Sequence, residues 1–399
     1  MKMSKCYLDL KEKSLCCGCK VCATVCPKDA ISFSFDDEGF WYPSIDEEKC
    51  IHCNKCRNVC PLNTENLSVI TDQNQTYAAY AKSDDVLKKS ASGGMFTVLS
   101  DVILENNGVV FGHTYDENCH AVCSKAETKS ERDKMCGSKY VQSDMKNIYN
   151  DIKEAVVSGR KVLFTGTPCQ AEAAKKFLRT SNNDNFYTCA LVCHGVPSPK
   201  IFAEYVALEE KKAGKKITNV EFRNKDNGWK MPLLKLSNEK ELVAARLLNA
   251  DAFNNLFQGT DCILRPSCYE CRYAGKERLE DITIADFWGV QNKHADMFND
   301  DKGVSLVLVN TEKGKTLFKG ASSALVAKHV PLSDVQERNT PLVHPSVPFK
   351  LRERVFREYK KHGAKYILKK YMFRRNIMAS LPVRAVRKVF RIAKKVFGK

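Results

Sequence analysis

Cys16-Cys17-Gly18-Cys19-Lys20-Val21-Cys22-Ala23-Thr24-Val25-Cys26-Pro27 sets a spacing that Cys50-Ile51-His52-Cys53-Asn54-Lys55-Cys56-Arg57-Asn58-Val59-Cys60-Pro61 repeats. Both read C-x2-C-x2-C-x3-C-P, the bacterial two-cluster run. Three thiolates wrap one 4Fe–4S cube and the fourth cysteine reaches the other cluster. The register predicts Cys16, Cys19, Cys22 and Cys60 on one cluster, and Cys50, Cys53, Cys56 and Cys26 on the second. Cys17 falls out of register and reads as a spare. Zinc knuckles use a longer gap between paired cysteines, so the doubled register argues against them. Between the runs, Ala30 to Ile45 reads as a hairpin turning at Gly39.

The composition is that of a soluble protein, 43% hydrophobic and 28% charged. No apolar run approaches the roughly 18 residues a membrane span requires. The charged start, Met1 to Lys13, lacks a signal-peptide stretch, which points to the cytoplasm. There, 19 cysteines fit metal or cluster ligation better than disulfides. The net charge of +17 is uneven. Residues 346–399 hold 18 Lys plus Arg against Glu353 and Glu358, leaving about +1 for everything before them. The body is neutral, and a nucleic-acid partner is not expected.

After a polar linker, Leu62 to Gln75, strand and helix signals alternate. Val109 to Phe111, Lys161 to Phe164, Tyr187 to Cys193, Ile282 to Ala285 and Val304 to Val309 read as strands. Met95 to Glu105, Met145 to Val157, Ala171 to Leu178 and Lys200 to Lys212 read as helices. The pattern predicts an α+β ferredoxin-like module over 1–65, then an α/β body with a mixed, largely parallel sheet, then a basic helical C-terminal tail over 346–399.

Several body motifs carry chemistry. Ser92-Gly93-Gly94 is a glycine turn at a helix start, where free N–H groups favour a phosphate. An ordinary N-cap is the alternative. Gly166-Thr167-Pro168-Cys169-Gln170 follows a buried strand, at the sheet end where ligands bind. Cys169 at that helix N-terminus is expected to have a lowered pKa; it reads as pocket lining, a redox thiol or a buried small side chain. Cys262, Cys268 and Cys271 suggest a third cluster, with Cys193 as the fourth ligand. A zinc site is the rival. His194 could donate a proton or simply pack. Lys139 could pair with an anionic group or be solvated. Cys6, Cys119, Cys123, Cys136 and Cys189 read as buried small side chains.

Taken in order, Ser92-Gly93-Gly94, Gly166 to Gln170, Cys193-His194-Gly195-Val196-Pro197, Arg265-Pro266-Ser267-Cys268-Tyr269-x-Cys271 and Asp281-Ile282-Thr283-x3-Phe287-Trp288-Gly289 resemble the β-subunit family of coenzyme F420 hydrogenases and dehydrogenases. The resemblance runs from Cys16 to Val309. It implies an FAD-binding region over 76–158, with Ser92, Gly93, Gly94, Thr97, Lys139, Gly166, Thr167 and Gln170 as cofactor-binding residues, and a region over 159–345 holding the third cluster. It further implies an FAD-dependent iron–sulfur oxidoreductase acting on a small molecule, with His194 and Cys169 as candidate catalytic residues. A non-catalytic electron-transfer subunit is the other reading. The expected partners are a small-molecule substrate and a ferredoxin-like or enzyme redox partner.

In the tail, Arg352 to Phe373 and Val383 to Phe397 carry apolar residues at helical intervals. Val386, Val389, Phe390, Ala393, Val396 and Phe397 fall on one face, opposite Arg387, Lys388, Arg391, Lys394 and Lys395. Such a helix suits an anionic membrane surface, which would make the protein peripheral at the inner face of the membrane; packing on the body is the bland alternative.

Overall fold

The computed structural model describes residues 6–63, 68–69, 75–145, 148–179, 184–275 and 277–380. The hairpin forms as β1 (Ile31–Phe35) and β2 (Trp41–Ile45), paired antiparallel. Gly39 turns it at φ +76, and a Cβ there would lie 2.5 Å from Lys200 Cβ, so only glycine lets the turn seat against the body.

The body is built on eight strands: β3 (Gln75–Ala81), β4 (Val109–Tyr115), β5 (Ala121–Ala126), β6 (Val162–Gly166), β7 (Phe186–Leu191), β11 (Ile282–Asp286), β12 (Ser305–Val309) and β13 (Leu325–His329). Three others, β8 (Asn219–Asn224), β9 (Leu233–Ser237) and β10 (Leu242–Leu247), form a separate antiparallel sheet. The large sheet has the order β13-β3-β12-β11-β7-β6-β4-β5. Its centre, β4-β6-β7-β11, is parallel; the flanking pairs are antiparallel. The expectation of a largely parallel sheet therefore holds only for the centre. β5 and β13 escaped the sequence reading because their apolar residues are broken by polar ones, as in Ala121-Val122-Cys123-Ser124-Lys125-Ala126, and β3 because its apolar run, Tyr77-Ala78-Ala79-Tyr80-Ala81, is rich in alanine, which has little strand preference. The apolar runs of β6 and β12 are buried throughout, as strands covered on both faces must be.

Four helices position the site. They are α1 (Met95–Leu104), α2 (Ile148–Val157), α3 (Pro168–Phe177) and α4 (Pro199–Ala213). Pro168 and Pro199 each occupy the first helical turn, where the missing N–H costs nothing.

The cysteine-rich segment is bound to the body along its length. Tyr149 Oη donates to Cys19 O at 2.7 Å, Lys176 Nζ to Cys60 O at 2.7 Å, and Tyr273 Oη to Pro61 O at 2.7 Å. Ser198 Oγ donates to Glu38 O at 2.8 Å. Even the expected linker contributes a strand, Ser68–Val69, paired with Glu277–Arg278. Four of the patternless cysteines, Cys6, Cys119, Cys123 and Cys189, are buried as expected; Cys136 is half-buried.

The tail begins as α5 (Arg352–Ser380), interrupted at Gly363, whose φ is 74°. Val355 and Ile367 are wholly buried, in one core with Phe202, Tyr205 and Phe253. Arg352 grips Glu38 with both terminal nitrogens, at 2.8 and 2.6 Å. This first segment is thus a packed helix rather than a membrane face, because its apolar stripe is already covered. The second segment, Val383 to Phe397, lies outside the described residues. Each buried Val or Ile side chain contributes roughly 1.5–3 kcal/mol, so a membrane test must spare α5. Truncation after Ser380 is expected to abolish salt-sensitive co-sedimentation with anionic vesicles, each near-surface cation contributing about 1 kcal/mol, while leaving the unfolding temperature unchanged. Equal vesicle binding by the shortened protein would refute a membrane role.

Candidate functional site

The paired runs fold so that their cysteines interleave. Cys26, Cys50, Cys53 and Cys56 line one small cavity. Cys16, Cys19, Cys22 and Cys60 line a second, with Cys6, Cys17 and Cys56 also at its wall. Lys20 and Asn54 adopt positive φ, 64° and 60°, just before the short helices Val21–Thr24 and Lys55–Asn58. Those turns bring the middle cysteines round to face the first of each run. Cys53 is exposed, whereas the other seven are half-buried or buried.

A further set of thiols gathers in the body. Burial, then Cys193 and Cys271, push the Cys268 thiol well above its usual value. Burial, then Cys169 and Cys271, raise Cys193 to about 12. Burial, then Cys169, raise Cys271 to about 11. Burial and the neighbouring thiols disfavour the thiolate of each, which a bound cation would reverse. The crowding joins Cys169, Cys193, Cys268 and Cys271. Cys262 stands apart: its sulfur donates to Leu256 O at 3.4 Å and accepts from Thr260 Oγ1 at 3.1 Å. Nearness in sequence grouped Cys262 with Cys268, but the chain between them turns its side chain into the apolar core.

Cys169 also departs from expectation in its acidity. A hydrogen bond with Cys17, followed by burial, drives its pKa well above the usual value, outweighing the helix N-terminus. Cys17 is no bystander either. It meets both Cys169 and Cys19, so it bridges the N-terminal and body sets.

Beside Cys193 opens a cavity of about 540 Å³. It lies at the carboxyl ends of the parallel strands, where Gly166, Leu191 and Ala285 reach its wall, and at the N-terminus of α1, where Ser92, Gly94 and Thr97 reach it. The residues expected to bind a cofactor have these roles. Gln170 Oε1 accepts from both Thr167 N–H and Oγ1, each at 3.0 Å, capping α3. Burial lowers the Lys139 pKa to about 8, and its ammonium donates to the carbonyls of Met135 at 2.9 Å and Cys136 at 2.7 Å, pinning the wall loop. Gly93 does not reach the wall: its N–H donates to Ser305 Oγ at 3.0 Å, and a Cβ there would sit 2.6 Å from Ala79 O. It is glycine because two strands cross it. His194 reaches the wall, but its Nε2 bonds Asp261 Oδ1 at 2.6 Å.

The sequence reading missed His113. Its Nδ1 bonds Ser143 Oγ at 2.7 Å, and burial holds its pKa down at about 4. Its Nε2 is buried with no protein partner among the described residues, and it lines the cavity. Arg223, stacked 4.7 Å from the Trp288 ring, was missed as well, while Trp288 was quoted within the Phe287-Trp288-Gly289 motif without a role; both line the cavity. A solitary histidine within a strand, or an arginine on a separate sheet, leaves no spacing signal.

Two family profiles match. Residues 15–64 match the 4Fe–4S dicluster domain. Residues 159–335 match the C-terminal part of the coenzyme F420 hydrogenase/dehydrogenase beta subunit. Residues 159–335, less than half of the chain, are thus similar to this family's beta subunit. With its dicluster domain, the chain is an iron–sulfur protein suited to electron transfer. No curated protein matches it. Among solved structures it is similar to a chain of the xenon-derivatised F420-reducing NiFe hydrogenase complex from Methanosarcina barkeri, at 21% identity over 80% of this chain and 97% of that chain, with a TM-score of 0.44.

Proposed function

We propose that this chain is an iron–sulfur flavoprotein oxidoreductase that passes electrons from the N-terminal clusters to a ligand in the 540 Å³ cavity. One observation carries the reading: the cysteine sets form an unbroken series. The Cys16 set touches the body set through Cys17 and Cys169, and Cys193 of the body set lines the cavity wall.

In this reading Cys16, Cys19, Cys22 and Cys60 hold one 4Fe–4S cluster, and Cys26, Cys50, Cys53 and Cys56 hold another. Cys169, Cys193, Cys268 and Cys271 hold a third, replacing the Cys262 of the sequence expectation. The exposed Cys53 marks where a redox partner docks. Bound clusters would supply single electrons, and a bound FAD would pair two of them with a proton into a hydride equivalent. The N–H groups at the start of α1 favour the phosphates. His113, neutral and with Nε2 free of protein partners, offers a hydrogen bond to the ring or the substrate. Arg223 and Trp288 give the opposite wall a cation and an aromatic face.

Assembly into a hydrogenase-type complex would instead make this chain an electron carrier serving a partner enzyme. The cavity beside Cys193 favours a reaction within the chain itself. Metal and flavin analysis of anaerobically purified protein tests the choice. About twelve irons and one FAD per chain are expected, four irons for each cluster. Protein that takes up no flavin even after incubation with FAD would leave only the electron-transfer role.

A further inference from the structure

Arg265 is wholly buried, at 0% exposure. Its Nε donates to Cys16 O at 2.6 Å, Nη1 to Gln142 Oε1 at 3.0 Å and Nη2 to Trp41 O at 3.0 Å. The guanidinium lies 4.3 Å from the Tyr42 ring centroid. Gly18, at φ +70, leaves room for it: a Cβ there would come within 2.9 Å of Arg265 Nη1. Among the described residues no carboxylate pairs with this arginine, although other buried arginines have one. Arg223 meets Asp286, and Arg132 meets Asp101.

A buried charge without a counter-charge costs several kcal/mol, so a fully buried, carboxylate-free arginine calls for an anion nearby. The cysteine-bearing backbone surrounds it: Nε ends on Cys16 O, and the Gln142 that Nη1 bonds donates in turn to Cys17 O at 3.1 Å. Its backbone ties it to the body set, since Cys268 N–H donates to Arg265 O at 2.9 Å. Its side chain, meanwhile, reaches the N-terminal set.

We propose that Arg265 is the shared buried counter-charge of the two cysteine sets, and that it raises the reduction potentials of the clusters they hold. The proposal rests on the assignment of clusters to these sets. Four thiolates give a cluster net negative charge, and each added electron deepens it. A fixed cation in a low-dielectric site stabilises the reduced form more than the oxidised form. Because the same residue is tied to both sets, it lowers the cost of holding an electron at either side of the Cys17–Cys169 junction. Arg265 thereby acts as a positioning and tuning residue, without itself carrying an electron.

The test is an anaerobic redox titration followed by electron paramagnetic resonance on the full chain, with iron content measured on the same samples. Arg265→Gln is expected to keep its iron and shift cluster midpoints to more negative potentials. Gln142→Glu places a carboxylate against Nη1 and neutralises the arginine where it stands, so it should shift midpoints the same way even if Arg265→Gln loads poorly. Arg265→Lys, which keeps the charge, should stay near the parent. Iron-replete Gln142→Glu protein with the parent's midpoints would overturn the proposal, as would Arg265→Lys shifting as far as Arg265→Gln. A parent protein without cluster signals would instead overturn the cluster assignment.

Discussion

Cys169→Ala is expected to remove about a third of the chain's iron, whereas Cys262→Ala should leave the iron content at the parent level. Four cysteine thiolates are the usual ligand set for a 4Fe–4S cluster, and loss of one of four exposes the cube to solvent and oxidation. The thiols that raise Cys193, Cys268 and Cys271 include Cys169 in each case. Cys262 spends its sulfur on Thr260 and Leu256. The N-terminal cluster signals should survive both changes, since neither residue lines the Cys16 or Cys50 cavities. Iron analysis paired with resonance spectra of the reduced protein reads the result. Iron loss on Cys262→Ala with Cys169→Ala intact would restore the grouping drawn from sequence spacing alone.

That pair of residues shows where the sequence was legible. The eight N-terminal cysteines announce themselves because each cluster's first three ligands are local, and the crossing rule for the fourth belongs to the run itself. The body set is assembled from the end of β7, the start of α3 and a short helix beginning at Pro266. Only the Cys268–Cys271 pair is local; Cys193 was reached through its motif at a strand end, and for the remaining position spacing could offer no more than the nearby Cys262. The same holds for strands. β6 and β12 are continuous apolar runs that the sequence displays, while β3 and β13 pair at the sheet margin with mixed composition. The first tail segment left two readings open for another reason: an amphipathic stripe has the same sequence whether it meets lipid or core, and Phe202 and Tyr205 of α4, which cover it, come from a distant part of the chain.

Gly166→Val is expected to abolish FAD retention on gel filtration while the protein stays folded and keeps its iron. A Cβ at Gly166 would point between Gln170 Oε1 at 2.9 Å and His113 Nε2 at 3.0 Å. Gln170 and His113 are side-chain ends at the cavity wall that can shift, and the buried Phe164 ring, its Cε1 also 3.0 Å away, must give slightly, while the branched side chain occupies the space in front of His113. Gly93→Val would be a poor probe of the same pocket. Its Cβ would strike backbone, Ala79 O at 2.6 Å and Ser305 N at 2.7 Å, where β3 and β12 cannot move apart without breaking the sheet. Loss of flavin there would report a damaged fold. His113→Phe separates the two contributions at Gly166, bulk and hydrogen bonding: it keeps an aromatic ring but removes Nε2. An unpaired buried polar group left on the ligand costs about 1–3 kcal/mol, so FAD affinity should fall roughly five- to a hundred-fold, with circular dichroism and iron unchanged. Parent-level flavin in both Gly166→Val and His113→Phe would place the cofactor elsewhere than this cavity.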